Sequence, residues 1–88
     1  MEIAHDVNVK LLFFAQSKEL AGTKESTIRL PNKISYSKLL NIIVDSYNLQ
    51  AIKNNILLAK NEEVCDEDID IEIRERDSIA VIPPISGG

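Results

Sequence analysis

The chain has 88 residues, of which 44% are hydrophobic and 27% are charged, a size and composition typical of one globular domain with a single modest core. Its net charge of −4 argues against nucleic acid, whose phosphates require lysine and arginine, and against an anionic membrane surface. Two tyrosines, two phenylalanines and no tryptophan offer no aromatic platform on which bases would stack. We therefore expect neither nucleic acid nor a membrane as a partner.

Cysteine usage and the apolar runs indicate a cellular compartment. Cys65 is the single cysteine, so the chain has no internal disulfide of the kind that stabilises small secreted domains. The first ten residues, MEIAHDVNVK, lack the apolar run of a signal peptide, and the runs LLFFA and ILLA are too short to span a bilayer. These features predict a soluble protein of the cytosol.

The first elements of the domain follow a loose leader, which we assign to residues 1–6. From Val7 to Phe13 apolar residues alternate with others, the pattern of a strand with one buried face. From Leu11 onward both faces are apolar, so something besides the ordinary core must cover this strand. AQSKELAG predicts a short helix ended by Gly22, because glycine tolerates the left-handed position after a helix. ESTIRL predicts a second strand, and the short connection predicts a hairpin.

The clearest element is a helix in SYSKLLNIIVDSYN. Ser35 is the predicted N-cap of this helix. The apolar residues form a continuous stripe on one helix face, comprising Tyr36, Leu39, Leu40, Ile43, Val44 and Tyr47. The opposite face is polar, so one side of the helix is expected to pack on a sheet.

The remaining elements complete the predicted fold. A short turn, LQAIKNN, leads to an inner strand in ILLAKN, and EEVCDED is predicted to be an acidic connection. IDIEI alternates, with Ile69, Ile71 and Ile73 on one face, and IAVIPP is the last strand. One amphipathic helix across a mixed four- or five-stranded sheet makes a two-layer α+β domain, and the β-grasp, the ubiquitin-like roll, has this order. We assign the domain to residues 7–82 and an extended tail to residues 83–88.

No group of side chains predicts an active site or a metal site. His5, the only histidine, lies in the leader and is expected to be inert. Cys65 has carboxylates as sequence neighbours, which raise the pKa of a thiol, so we expect a poor nucleophile. The acidic run from Glu62 to Asp68 lacks the glycine and carboxylate spacing of an EF-hand loop, which favours a solvated loop over a divalent-cation site. Gly22 is the only glycine before the tail, so no glycine-rich loop cradles a phosphate.

The C-terminal tail is the remaining candidate, and it consists of Pro83, Pro84, Ile85, Ser86, Gly87 and Gly88. Proline cannot donate to a strand ladder, so pairing should end there and the chain should project in an extended form. Glycine has no β-carbon, so the last backbone can enter a narrow channel in a partner. The reactive group would be the α-carboxylate of Gly88, a poor electrophile for which acyl-adenylation by a partner enzyme is the obvious activation. A disordered terminus without function is the alternative.

Three segments carry a resemblance to a known family: LLFFAQSKELAG, ILLAKNEEV and DSIAVIPPISGG. Over residues 7–88 the chain resembles the small subunit of molybdopterin synthase, a β-grasp sulfur carrier. The resemblance implies that Gly88 is adenylated by an enzyme related to the ubiquitin-activating enzymes, which consumes ATP, and is then converted to a thiocarboxylate. The tail would enter the large subunit, and its sulfur would pass to cyclic pyranopterin monophosphate to build the dithiolene of molybdopterin.

The resemblance also implies an assembly. The enzyme of this family is a heterotetramer with a large-subunit dimer at its centre, and the residues that handle the pterin belong to the large subunit. This chain is then part of an enzyme only as its sulfur-carrier subunit, and it is expected to bind no cofactor or metal. Phe14, Val64 and Ile82 are predicted to contribute to the surface that meets the large subunit. The alternative for Phe14 is a second small core under the short helix.

Arg76 departs from the family pattern. It stands in the turn ERDS before the last strand, where a glycine is expected. If this turn requires a positive φ, Arg76 is strained there. The departure concerns the local geometry of the turn and leaves the predicted chemistry of the tail unchanged.

Other function classes stay open. A protein modifier that forms isopeptide bonds to lysines also uses a terminal Gly-Gly carboxylate. A sulfur carrier for thiamine synthesis has the same ending, and service to a second pathway such as tRNA thiolation is a further alternative. The combination of FFAQ with PPISGG favours the molybdopterin branch.

Overall fold

The computed structural model describes residues 5–83. Two α-helices, one 3₁₀ helix and seven strands follow one another in these residues: β1 Asp6–Phe13, α1 Ala15–Ala21, β2 Glu25–Pro31, β3 Lys33–Ile34, α2 Tyr36–Tyr47, the 3₁₀ helix Gln50–Asn55, β4 Leu57–Lys60, β5 Glu63–Val64, β6 Ile71–Glu72 and β7 Ser78–Ile82. None of the helices in residues 5–83 combines the length and the hydropathy that a membrane span requires.

The main sheet has five strands in the order β2-β1-β7-β4-β5, and a second sheet pairs β3 with β6. Strand β1 forms an antiparallel hairpin with β2, as the sequence predicted, and runs parallel to β7. Strand β4 is antiparallel to both β7 and β5. The sheet is therefore mixed, and α2 lies on one of its faces, which confirms the expected two-layer α+β architecture.

Helix α2 forms where the apolar stripe predicted it. The hydroxyl of Ser35 accepts a hydrogen bond from the Lys38 N–H at 3.2 Å, which caps the first turn. Asn48 ends the helix in the left-handed conformation at φ 61°, and its N–H donates to the Val44 carbonyl. The stripe packs against the inner face of the sheet, where the rings of Phe13 and Tyr47 lie 4.9 Å apart. The helix and this face together form the core.

Three local features differ from the sequence-based expectations. Strand β1 already begins at Asp6, within the segment assigned to the leader, and the Asn32 N–H donates to the His5 carbonyl at 2.8 Å. The acidic connection contains the short strand β5, while β6 pairs with β3 outside the main sheet. Ile69 is 61% exposed instead of sharing a buried face, because a turn closed by the Asp66 carboxylate comes just before it.

The turn before β7 confirms the strain expected at Arg76, whose φ is 72°. The turn is held from outside, because the Arg76 N–H donates to the Asn8 carbonyl at 3.1 Å. The Glu75 carboxylate accepts the Asn8 N–H at 2.9 and 3.1 Å. These contacts to the start of β1 keep an arginine in a conformation that costs a non-glycine residue about 1 kcal/mol or more.

Candidate functional site

The face of the main sheet opposite α2 is apolar at its centre. Leu12, Ala80, Ala59 and Val64 stand in one row across four neighbouring strands, because each is paired with the next in the strand register. Ile82 and Leu57 form the adjacent row. Side chains alternate along a strand, so these residues all project away from the core. The sheet therefore presents a second apolar face besides the one that packs against α2.

This face holds a depression of about 540 Å³, here called the outer depression, whose apolar lining consists of Leu12, Phe14, Ala59, Val64, Ala80 and Ile82. The alanines on β4 and β7 make a low floor, because their side chains end at the β-carbon. The larger side chains surround that floor, and Phe14 and Val64 are 48% and 64% exposed. An exposed apolar cluster of this kind is typical of an interaction surface.

The structure brings Phe14, Val64 and Ile82 together, although they are far apart in sequence, since all three line the outer depression. Phe14 is 48% exposed, which is more than a residue of a second closed core would be. Neither the alanine floor nor Leu57, which is 48% exposed, was predicted from the sequence. Two signals pointed toward them: both faces of β1 turn apolar at Leu11, and ILLA is apolar without alternation.

Ser17 holds one wall of the depression in place, and its role was not predicted from the sequence. Its side chain is completely buried. The hydroxyl oxygen accepts the Phe14 N–H at 3.0 Å and lies 2.7 Å from the Phe14 carbonyl and 3.1 Å from the Val81 carbonyl. The first turn of α1 is thereby tied to β7 one residue before Ile82, which keeps the Phe14 and Ile82 walls together.

A two-residue turn at Asn61 and Glu62 positions the opposite wall, with φ of 49° and 76°. A hairpin turn of this kind favours residues that accept positive φ, such as asparagine followed by glycine. The Asn61 side chain accepts the Ser78 N–H and donates to the Asp77 carboxylate, both at 3.0 Å. These bonds join the β4–β5 hairpin to the start of β7 and so determine where Val64 stands.

Two titratable groups near this region have shifted pKa values. Burial raises the pKa of the Cys65 thiol, only partly opposed by a hydrogen bond from the Lys60 backbone and by the Lys60 charge. The raised pKa agrees with the poor nucleophile expected from the sequence, but its largest cause is burial and not the neighbouring carboxylates. Burial alone would raise the pKa of Asp77, but hydrogen bonds from the Arg74 N–H and the Asn61 amide outweigh it, so that pKa lies below its usual value. No group of three or more metal-binding side chains occurs within residues 5–83.

The predicted tail begins where β7 ends. Strand pairing stops at Ile82, directly before the two prolines, as expected. Pro83 is buried, so this first residue assigned to the tail packs on the domain instead of projecting from it. Pro84, Ile85, Ser86, Gly87 and Gly88, including the predicted reactive carboxylate, lie outside the described residues.

Solved structures with the same architecture define the class of the fold. The chain matches the small archaeal modifier protein SAMP1 from Haloferax volcanii with a TM-score of 0.73 at 19% identity, covering 92% of this chain and 99% of that one. It matches a molybdopterin converting factor subunit 1 from Pyrococcus furiosus with a TM-score of 0.71 at 26% identity, covering 90% and 99%. The domain is thus a ubiquitin-like β-grasp, as the sequence predicted.

Sequence comparison identifies the family. The family model described as "ThiS family" matches residues 11–88. The molybdopterin synthase sulfur carrier subunit of Anopheles gambiae is 50% identical over the full length of both chains. The protein of the same name in Drosophila melanogaster is 46% identical over 83 residues, covering 93% of this chain and 92% of the relative. The chain belongs to the ThiS family, and its relatives there bear out the resemblance to the small subunits of molybdopterin synthase.

Proposed function

We propose that this chain is the sulfur-carrier subunit of a molybdopterin synthase. Relatives with that name share about half of its residues over nearly the whole chain, and this observation carries the proposal. The geometry supports it, because β7 lines the outer depression through Ala80 and Ile82 and then leads into PPISGG. A partner seated on the depression would therefore lie beside the start of the tail.

The proposed chemistry takes place at Gly88. A partner enzyme related to the ubiquitin-activating enzymes joins the Gly88 carboxylate to the AMP moiety of ATP and releases pyrophosphate. A sulfur nucleophile then displaces AMP and leaves a thiocarboxylate. The thiocarboxylate sulfur passes to cyclic pyranopterin monophosphate, and the carboxylate is regenerated for another cycle. Two such transfers supply the two sulfurs of the molybdopterin dithiolene.

The proposed division of labour places the pterin-binding groups on the large subunit. The outer depression, with Phe14, Val64 and Ile82, docks on that subunit, and the segment from Pro84 to Gly88 enters its active site. The assembly has two small and two large subunits. This chain binds no cofactor of its own, since ATP is consumed by the activating enzyme, and the cycle takes place in the cytosol.

The experiment that tests this proposal measures the intact mass of the chain after incubation with the activating enzyme, ATP and a sulfur donor. We expect a gain equal to the replacement of one oxygen by sulfur, which is lost when the large subunit and cyclic pyranopterin monophosphate are added and molybdopterin forms. Cys65→Ser is the matched control, because a persulfide on Cys65 would add a whole sulfur atom and would disappear in this variant.

Two outcomes would contradict the proposal. A thiocarboxylate that forms but yields no molybdopterin with an active large subunit would assign the chain to another sulfur pathway, such as thiamine synthesis or tRNA thiolation. No thiocarboxylate with an active activating enzyme, together with conjugates to lysine in cells, would assign it to the protein modifiers.

A further inference from the structure

The outer depression lies between side chains of opposite charge. Glu62 lines it at the β4–β5 hairpin. On the other side, Phe14 and Leu12 separate it from a neighbouring groove of about 460 Å³, whose lining includes Lys18 and Lys24. One end of this apolar surface is thus acidic and the other end is basic.

These charges are available to a partner. Within residues 5–83 the ion pairs are Lys10 with Glu25 and Arg29 with Asp6, and neither includes the three side chains in question. Glu62, Lys18 and Lys24 are all exposed. Glu25 also lines the groove, but Lys10 lies 3.6 Å from its carboxylate, so the α1 end keeps a positive balance.

The two ends are far enough apart to act separately. Val64 beside the acidic end and Leu12 beside the basic end are three strand spacings apart, about 14 Å at the usual separation of paired strands. This distance exceeds the Debye length of about 8 Å at physiological ionic strength, so each end interacts mainly with whatever charge is placed directly opposite it.

The backbone positions of both ends are well defined. Glu62 follows Asn61 in a turn that three hydrogen bonds join to Asp77 and Ser78. Lys18 follows Ser17 on α1, which the buried hydroxyl ties to β7. A partner therefore meets an acidic end and a basic end at a set separation on the sheet, and such an arrangement contributes more to orientation and specificity than to total affinity.

We propose that the outer depression receives an apolar segment of the large subunit that has a basic side chain opposite Glu62 and an acidic side chain opposite Lys18 and Lys24. This inference rests on the proposed function and adds the orientation of docking to it. Turning the partner by half a revolution on the sheet would place like charges together at both ends, which disfavours that alternative. The charges would thereby determine which end of the partner segment lies over β5 and which lies over β1.

The shape favours a different protein over a second copy of this chain. A second copy could match the charges, but it would place one depression over another and leave a void in the middle of the contact. Interface cores are packed as closely as protein interiors, so a concave apolar floor requires a convex apolar partner. The low floor at Ala59 and Ala80 suits a projecting side chain.

The test measures binding of the chain to the large subunit from the same source by calorimetry at low and at physiological salt. We expect Glu62→Lys and Lys18→Glu each to weaken binding on the order of tenfold at low salt, and less at higher salt because exposed charges are screened. At physiological salt the double variant should show the product of the two single effects, because the two ends are then farther apart than the Debye length. Urea unfolding of each variant checks that the fold is retained.

The matched controls reverse charges away from the outer face. Glu63→Lys changes the residue next to Glu62. Glu63 lines a different depression, together with Cys65 and Ile71. Lys38→Glu changes the exposed side of α2. We expect both controls to bind within about twofold of the unmodified chain, as rim-distant charges do.

Three results would overturn the inference. If the unmodified chain binds but Glu62→Lys and Lys18→Glu bind equally well, the charges do not select an orientation, and the proposed function still stands. If the unmodified chain does not bind the large subunit, both the inference and the proposed function fail. If sedimentation shows that the chain alone forms a dimer that Glu62→Lys disrupts, a second copy is the occupant.

Discussion

A single buried hydroxyl links the two segments that form one side of the candidate site. Among residues 5–83, Ser17 is the one polar residue in the buried class, and it stands between the Phe14 backbone and the Val81 carbonyl. Its hydroxyl has one proton and two nearby carbonyl acceptors, at 2.7 and 3.1 Å, while its oxygen satisfies the Phe14 N–H. The position of the Phe14 ring therefore depends on a residue that does not reach the outer surface.

We predict that Ser17→Ala lowers the free energy of unfolding by about 1–3 kcal/mol, because it removes the buried hydrogen bond to the Val81 carbonyl and leaves the partly buried Phe14 N–H without its acceptor. Urea unfolding followed by circular dichroism measures the change. Ser46→Ala, on the exposed side of α2, is the control and should change stability by less than about 0.5 kcal/mol. An unaltered midpoint for Ser17→Ala would show that the hydroxyl is not needed to hold α1 on β7.

At the level of residues, sequence patterns identified the large exposed side chains of the outer depression but not the smaller residues that position them or form its floor. Phe14 was predicted because the segment from Leu11 onward is apolar on both faces, so that a contact besides the core must cover its second face. Ser17 carried no such signal, since its burial arises from the approach of α1 to β7, two segments far apart in sequence. The floor at Ala59 and Ala80 was missed for the same reason: alanine is unremarkable until the strand register places two of them side by side.

At the level of elements, one hydrogen-bonded group joins two turns. The Asn61 side chain links the β4–β5 hairpin to Asp77 and Ser78, and the Asp77 carboxylate also accepts the Arg74 N–H at 2.8 Å. The hairpin carries Val64 and Glu62, so the placement of one wall of the outer depression depends on this carboxylate. Its lowered pKa is the thermodynamic expression of these hydrogen bonds.

We predict that the stability contributed by Asp77 is lost in acid. A carboxyl whose pKa is lower in the folded state contributes stability above its unfolded pKa of about 3.9 and loses that contribution as the pH falls through the folded pKa. Asp77→Asn should therefore be less stable than the unmodified chain at pH 7, and the difference should shrink below about pH 4. Urea midpoints measured across this range provide the check.

The control for this prediction is Asp45→Asn, on the exposed side of α2, which removes a negative charge without breaking the hydrogen bonds between the turns. A stability difference between Asp77→Asn and the unmodified chain that stays constant from neutral to acid pH would contradict the role given to the ionised carboxylate.

Elements with enough residues to show a period were predicted, whereas the two-residue strands β3 and β5 were not, and β6 covers only two residues of the alternating segment IDIEI. Helix α2 and strands β1, β2 and β7 each span five residues or more, which is sufficient for a helical stripe or an alternation to appear. Strands β3, β5 and β6 have two residues each and exist because partners in distant segments complete their pairing. Alternation predicted that Ile69 shares a face with Ile71 and Ile73, but the turn at Asp66 places Ile69 outside the strand.

At the level of the whole molecule, the sheet has two apolar faces and a single layer of helix. The inner face packs against α2 and forms the core, while the outer face exposes the depression beside the end of β7. The two faces have separate purposes in our interpretation, since one determines stability and the other determines association. Substitutions on the two faces should therefore have separable effects.

We predict that Phe14→Ala weakens binding to the large subunit by more than about 1 kcal/mol, because aromatic side chains in apolar contact surfaces are frequent anchors. Its effect on folding should be smaller than its effect on binding, since the side chain is 48% exposed. Calorimetric titration and urea unfolding of the same sample separate the two quantities. Ile69→Ala is the matched control, because Ile69 is 61% exposed and lies outside the outer depression. Unchanged affinity with reduced stability would make Phe14 a packing residue.

The central position of β7 also has a consequence for the order in which the domain folds. Strand β7 joins β1 on one side to β4 on the other, and the pairs Lys10 with Ser78 and Phe13 with Val81 connect distant parts of the chain. The β1–β2 hairpin can close early, but the sheet remains in two parts until β7 is inserted, and such long-range closure slows folding. Before that step both apolar faces of β1 are uncovered, so the nascent domain is most exposed to aggregation while its last strand is still missing.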